Sequence, residues 1–175
     1  MTLFSSTLDL LQREHIPCAL IGAGALAVHG IARSTFDIDL LTTSPRVLEA
    51  AFWEPLSAEG AAVEVRPGGH DDPLRGVVRL QHARDRDVDI VVGRHDWQRD
   101  ALARAVAARV LGAEVPVVTT SDLILLKLYA GGPQDLWDIE QLLADADGEV
   151  RGEVDLRVRA LPLECRQQWT GFRVR

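Results

Sequence analysis

Two cysteines, one lysine, one methionine and one tyrosine in 175 residues leave several chemistries short of material. Cys18 and Cys165 are too few for a disulfide framework, so a reducing cytoplasmic setting is expected. Neither has a neighbouring histidine pattern, which leaves thiol catalysis without support. No apolar run approaches membrane-spanning length, and the first residues, MTLFSSTLDLLQREHI, lack the basic-then-apolar order of a signal peptide. Positive charge is also in deficit: 19 basic against 26 acidic residues give a net charge of −7, which argues against a broad phosphate-gripping surface but not against a local basic pocket. Low-complexity tracts and internal repeats are absent. What remains, 47% hydrophobic and 26% charged, is the composition of a globular chain large enough for a real core.

Hydrophobic spacing predicts a short first helix on Leu3, Leu8, Leu10 and Leu11, then a strand "CALIG" running into a small-residue helical turn "AGALAVHG" closed by Gly30. "FDIDLLTT" alternates as a strand. Ser44-Pro45 reads as the start of a helix over "RVLEAAFWEPL". "AAVEVRP", "GVVRLQHA" and "RDVDIVVG" read as strands, the first two flanking a loop "GGHDDPLR". "DWQRDALARAVAARV" reads as one helix, and "AEVPVVT" as a strand placed at an edge by Pro116. Thr120 or Ser121 caps "DLILLKLYA", and Pro133 opens "PQDLWDIEQLLAD". Residues 150–175 form a helix pair or a packed tail. The expectation is one α+β domain over 1–175, with a mixed sheet flanked by helices in 1–118 and a helical portion in 119–175.

Asp37 and Asp39 interrupt a run of Phe36, Ile38, Leu40 and Leu41. Ionised carboxylates are expensive to bury unless they are paired or metal-bound. Strand alternation projects both to one face, with Cα atoms roughly 6.5–7 Å apart. "DVDIVV" repeats the device with Asp87 and Asp89. If the two strands are neighbours, three carboxylates meet on one face, an oxygen-only set that selects Mg²⁺ or Mn²⁺ over zinc. Two such ions can clamp an in-line phosphoryl displacement. A lone D-x-D also occurs on solvent-facing strands, but here Gly22 lets the backbone come close to a ligand, and the following helix start offers N–H groups to an anion. Arg33, Ser34 and Thr35 add donors next to the pair.

The stretch "IGAGALAVHGIARSTFDIDLL" resembles the DNA-polymerase-β-like nucleotidyltransferase superfamily, and looks most like its small bacterial AbiEii-type toxin branch. "VDIVVG" and "DLILLKLYAGGPQDLWDIEQLL" continue the likeness, which covers about 20–145. The resemblance implies a nucleotidyltransferase-type mixed sheet and a Mg²⁺-dependent (or Mn²⁺-dependent) transfer of NMP from an NTP such as ATP. It implies that Asp37, Asp39 and Asp89 are the metal-holding catalytic residues, with Asp89 helping to deprotonate the acceptor hydroxyl. Gly22, Ala23, Arg33, Ser34, Thr35 and Lys127 would lie along the phosphates. The acceptor would be RNA such as tRNA, a protein or a small molecule, and an antitoxin protein would be a partner if the chain is a toxin. One departure stands out: Gly22-Ala23 replaces the Gly-Ser or Gly-Gly of many members and removes a phosphate-holding hydroxyl.

That departure favours an alternative, a catalytically silent nucleotide- or partner-binding protein of the same fold. A metal-dependent phosphohydrolase using the same carboxylates is a third reading. Other residues have plainer readings beside the functional ones. Lys127, the one lysine, can snorkel from a helix edge. Asp135 and Asp138 suit a helix start, and Asp138 can orient Lys127 or an arginine. His29 suits a helix end, and His70, Asp71 and Asp72 suit a solvated turn that can also border the active face. Trp97, Trp137 and Trp169 read as packing residues.

Overall fold

Thr2 starts the first helix by a reciprocal cap, its hydroxyl accepting from Ser5 N–H at 3.2 Å while Ser5 Oγ accepts from Thr2 N–H at 3.0 Å. The helix, α1 (Leu3–Arg13), buries Leu3, Phe4, Leu10 and Leu11 against the sheet. The structure, a computed structural model, describes residues 1–33, 37–144 and 146–173. After α1 come β1 (Ala19–Ile21), α2 (Gly22–Val28), β2 (Ile38–Thr42), α3 (Glu54–Ala58), β3 (Ala62–Pro67), β4 (Gly76–Gln81) and β5 (Val88–Val92). Then follow α4 (Asp96–Arg104), β6 (Val106–Val110), β7 (Ala113–Val117), α5 (Thr120–Ala130), α6 (Pro133–Ala144), α7 (Gly148–Arg157) and α8 (Leu163–Arg173). No helix among the described residues is long and apolar enough to cross a membrane.

The strands form one mixed sheet in the order β3-β4-β5-β2-β1-β7-β6. β2 lies parallel to β5, and β4 lies antiparallel to β5 on the other side. Period-two alternation sorts the side chains of these three strands. Ile38, Leu40, Val78, Leu80, Val88 and Ile90 are all buried in the core. The residues between them, Asp39, Arg79 and Asp89, therefore share the opposite face.

The α+β expectation holds, with four local differences. The segment expected as a helix over "RVLEAAFWEPL" is instead two 3₁₀ turns, Pro45–Leu48 and Ala50–Trp53, followed by the short α3. Glu49 is extended between them, and the fully buried Trp53 donates from Nε1 to Val47 O at 2.7 Å, so tertiary packing overrides helix propensity. The helix expected through "AVAARV" ends at Arg104, because Val106–Val110 pairs with β7. That pairing makes β6 the edge and β7 an inner strand. β1 meets β7 at Val117, beyond Pro116, so the missing proline N–H is not needed there. Finally, Thr119 rather than Thr120 or Ser121 caps α5, accepting from Asp122 N–H at 3.2 Å.

Residues 148–173 resolve into α7 and α8 packed on α5. Val154, Val158, Leu161, Cys165 and Trp169 join the core, and Trp169 Nε1 donates to Asp155 at 2.6 Å. Asp122 is fully buried at the foot of α5. It accepts a two-pronged pair of bonds from Arg104 at 2.9 and 2.7 Å and a third from Thr119 Oγ1 at 2.8 Å, with Arg157 3.6 Å away. This single carboxylate ties α4, α5 and α7 together.

Candidate active site

β2 and β5 run in register, so Asp39 stands directly beside Asp89. Asp37, two residues before Asp39, belongs to the same face and is exposed. The neighbouring strand β4 sets Arg79 opposite Asp89, and β3 sets Glu64 opposite Arg79. One cross-strand row thus reads Asp39, Asp89, Arg79, Glu64. Arg79 grips Asp89 with Nε–Oδ1 at 2.8 Å and Nη2–Oδ2 at 2.7 Å, and the same Nη2 lies 4.0 Å from Asp37 Oδ2.

Asp39 is the carboxylate of this row whose pKa is raised. Burial pushes its carboxyl up to about 6, reinforced by the negative charges of Asp89 and Asp37 and opposed by the Lys127 charge and a hydrogen bond from Ala23 N–H. Asp89 and Asp37 are thus near enough for their charges to act on Asp39. Gly22 explains how the backbone reaches them. Its φ is +58°, and a Cβ there would come within 2.8 Å of Asp39 Cγ, so only glycine leaves the carboxylate its place. The Ala23 N–H expected to face a phosphate is thereby engaged with Asp39.

The remaining expected residues form a second cluster. Lys127 Nζ sits 2.8 Å from both Asp135 Oδ1 and Asp138 Oδ2. Burial alone would lower its pKa, but the two ion pairs outweigh this and raise it, so the ammonium stays charged. Asp138 also holds Arg33 at 3.4 Å, and Arg33 lies over the Trp137 ring with its Cζ 5.4 Å from the centroid. Ser34 and Thr35 fall outside the described residues.

His29 is structural, meeting Val118 O at 2.8 Å and Thr120 Oγ1 at 3.2 Å. The 68–75 loop is pinned by Arg94 to Gly69 O and Leu74 O, and by Tyr129, which donates to Pro73 O. Trp97 and Trp169 pack as expected, whereas Trp137 is 45% exposed beside Arg33. Burial pushes the Cys18 thiol up to about 11, away from any nucleophilic role. An apolar cleft of about 590 Å³ around Leu8, Ile16 and Leu102 is lined by Cys18 but by none of the carboxylates, arginines or lysine of the two clusters.

Sequence reasoning missed Arg79. Its signal was present, because an arginine between Val78 and Leu80 in a strand must face away from the core. What the sequence withheld was its strand partner. Among the described residues, no three His, Cys, Asp or Glu side chains are gathered as a metal needs them, since Asp89 turns both oxygens to Arg79. The donor set still fits a hard divalent cation: all-oxygen ligands, one of them a half-buried carboxylate whose ionised form is only partly compensated, against a glycine cradle.

No family model and no curated protein match the chain. Solved structures do. The lincomycin-bound lincosamide antibiotic adenylyltransferase LnuA is 16% identical with a TM-score of 0.51, over 82% of this chain and 96% of that one. A candidate nucleotidyltransferase from Thermotoga maritima is 16% identical with a TM-score of 0.52, over 83% and 97%. An antigenic nucleotidyltransferase-like protein from Paracoccidioides brasiliensis is 15% identical with a TM-score of 0.50, over 95% and 89%. The seven-stranded mixed sheet with its flanking helices is the nucleotidyltransferase fold.

Proposed function

We propose that the chain is a divalent-cation-dependent nucleotidyltransferase, moving NMP from an NTP to an acceptor and releasing pyrophosphate. The observation that carries this reading is the in-register pairing of Asp39 with Asp89, with Gly22 pressed against the Asp39 carboxylate. Asp37, Asp39 and Asp89 would hold Mg²⁺ or Mn²⁺, which when bound supplies positive charge against the phosphates and lowers the barrier to ionising the acceptor hydroxyl. Asp89 accepts the proton of that hydroxyl, whose oxygen then bonds to the α-phosphorus as the bond to pyrophosphate breaks. Gly22 gives the backbone its close approach, and Ala23 N–H orients the Asp39 carboxylate. Lys127, kept charged by Asp135 and Asp138, biases Asp39 toward its ionised form. In this reading Arg33, Ser34 and Thr35 would lie along the triphosphate.

The proposal extends to a single working unit over 1–175, acting in the cytoplasm, with the AbiEii-type toxins as the branch it most resembles. Its acceptor would be a tRNA or other RNA, a protein, or a small molecule of the kind the lincosamide adenylyltransferase modifies. An antitoxin protein is the partner expected of a toxin.

The test is incubation with Mg²⁺ and each α-labelled NTP, offering tRNA, protein and small-molecule acceptors in turn. Label transfer with pyrophosphate release is expected from the wild type and not from Asp37→Ala/Asp39→Ala. Nucleotide binding without either product supports the silent alternative, which Ala23 and the Arg79 grip on Asp89 favour. Free NMP without an acceptor supports a phosphohydrolase.

A further inference from the structure

Arg79 holds a position that the proposed reaction requires something else to hold. It reaches Asp89 from the adjacent strand and engages both carboxylate oxygens, while its Nη2 also lies 4.0 Å from Asp37. One guanidinium nitrogen therefore stands between the carboxylates carried by the β2 and β5 segments, where an ion touching both would have to stand. A guanidinium and a divalent cation compete for these oxygens, because like charges repel and the fork occupies a lone pair on each of them. An arginine in a protein does not deprotonate, so the conflict ends by movement and not by titration.

The surroundings provide for that movement. The Arg79 side chain is 39% exposed, against 16% for Asp89, so it has a way out toward solvent. On its far side the ladder places Glu64, now bonded to Arg66 at 2.7 Å and exposed. Glu64 is a second carboxylate within reach of a guanidinium that has left Asp89.

Resting on the nucleotidyltransferase reading above, we propose that Arg79 is a stand-in counter-ion: it holds Asp89 in the cation-free chain, competes with the incoming divalent ion, and swings toward Glu64 when the ion binds. Arg79 is thus a positioning residue. It keeps Asp89 aligned without metal and sets how much cation is needed to load the site.

The test uses Mn²⁺ alone, titrated onto the full chain without nucleotide and followed by the electron paramagnetic resonance signal of the free ion. Arg79→Gln should bind Mn²⁺ about tenfold more tightly than the wild type, because a charged, two-bond competitor is gone. Arg79→Lys, which keeps the charge but loses the fork, should fall between the two and covers the case in which the glutamine variant does not fold. Equal or weaker binding in the Arg79 variants overturns the proposal. Asp39→Asn separates the two levels of failure. If it abolishes Mn²⁺ binding while the Arg79 variants match the wild type, only the stand-in role falls. If wild type and Asp39→Asn behave alike, the cation site falls, and this proposal with it.

Discussion

The Arg79–Asp89 and Arg104–Asp122 forks have nearly the same geometry, 2.8 and 2.7 Å in one and 2.9 and 2.7 Å in the other. Their surroundings differ. Asp122 has no exposed surface, and its charge is met by Arg104, Thr119 and the nearby Arg157, an excess of compensation. Asp89 has one arginine, shared at longer range with Asp37, and a neighbour in Asp39 whose ionised form is repelled by both. The first fork is saturated and closes a structural joint. The second leaves negative charge over, on a face that is partly open. An arginine–carboxylate fork is therefore informative only with its neighbours counted, and the proposed cation site at the β2–β5 pair rests on that count.

The contrast can be broken or sharpened by experiment. The largest effect should come from Asp37→Ala/Asp39→Ala, with label transfer falling at least about a thousandfold, or about 4 kcal/mol of barrier. A metal-free melt of the same variant should show no loss of stability, because repelling charges have been removed. Next is pH. The Asp39 carboxyl titrates at about 6 in the folded chain against 3.8 ordinarily. Between those values the folded chain keeps a proton that the unfolded chain has lost. The metal-free protein should therefore lose stability at this group as pH rises from about 4 to about 6, by at most about 3 kcal/mol. Asp39→Asn should flatten that slope in thermal melts, and Mn²⁺ should stabilise the wild type increasingly above pH 6. Smallest is Asp122→Asn, expected to lower stability by about 2–3 kcal/mol in urea unfolding at every pH near neutrality, the two arginines it leaves being partly exposed. Transfer by the fraction still folded should be unchanged. Were Asp122→Asn to abolish transfer without unfolding the chain, the distinction between the two forks would be lost.

The alternation of β2 and β5 was legible because each aspartate is flanked by residues that can only face a core, Ile38 and Leu40 in one strand, Val88 and Ile90 in the other. The Gly22 turn, the helix α5 (though not its cap residue) and the Pro133 start of α6 were legible for similar local reasons. What the sequence could not carry was long-range. The "AVAARV" run has helix-compatible composition and becomes a strand because β7 is there to pair with it. "RVLEAAFWEPL" breaks into tight turns because Trp53 must reach Val47 O inside the core. Arg79 could be placed on a face but not opposite Asp89, since register between strands ten residues apart depends on the hairpin joining them. Trp137 gave no sign that α6 would turn it outward to meet Arg33.

The most direct test is a crystal structure of the chain with Mn²⁺ and a non-hydrolysable NTP, read by the anomalous signal of the metal. The account predicts manganese within ligand distance of Asp37, Asp39 and Asp89, with the Arg79 guanidinium withdrawn from Asp89. Nucleotide-bound crystals with no manganese at these three residues, and Arg79 still clasping Asp89, would contradict it.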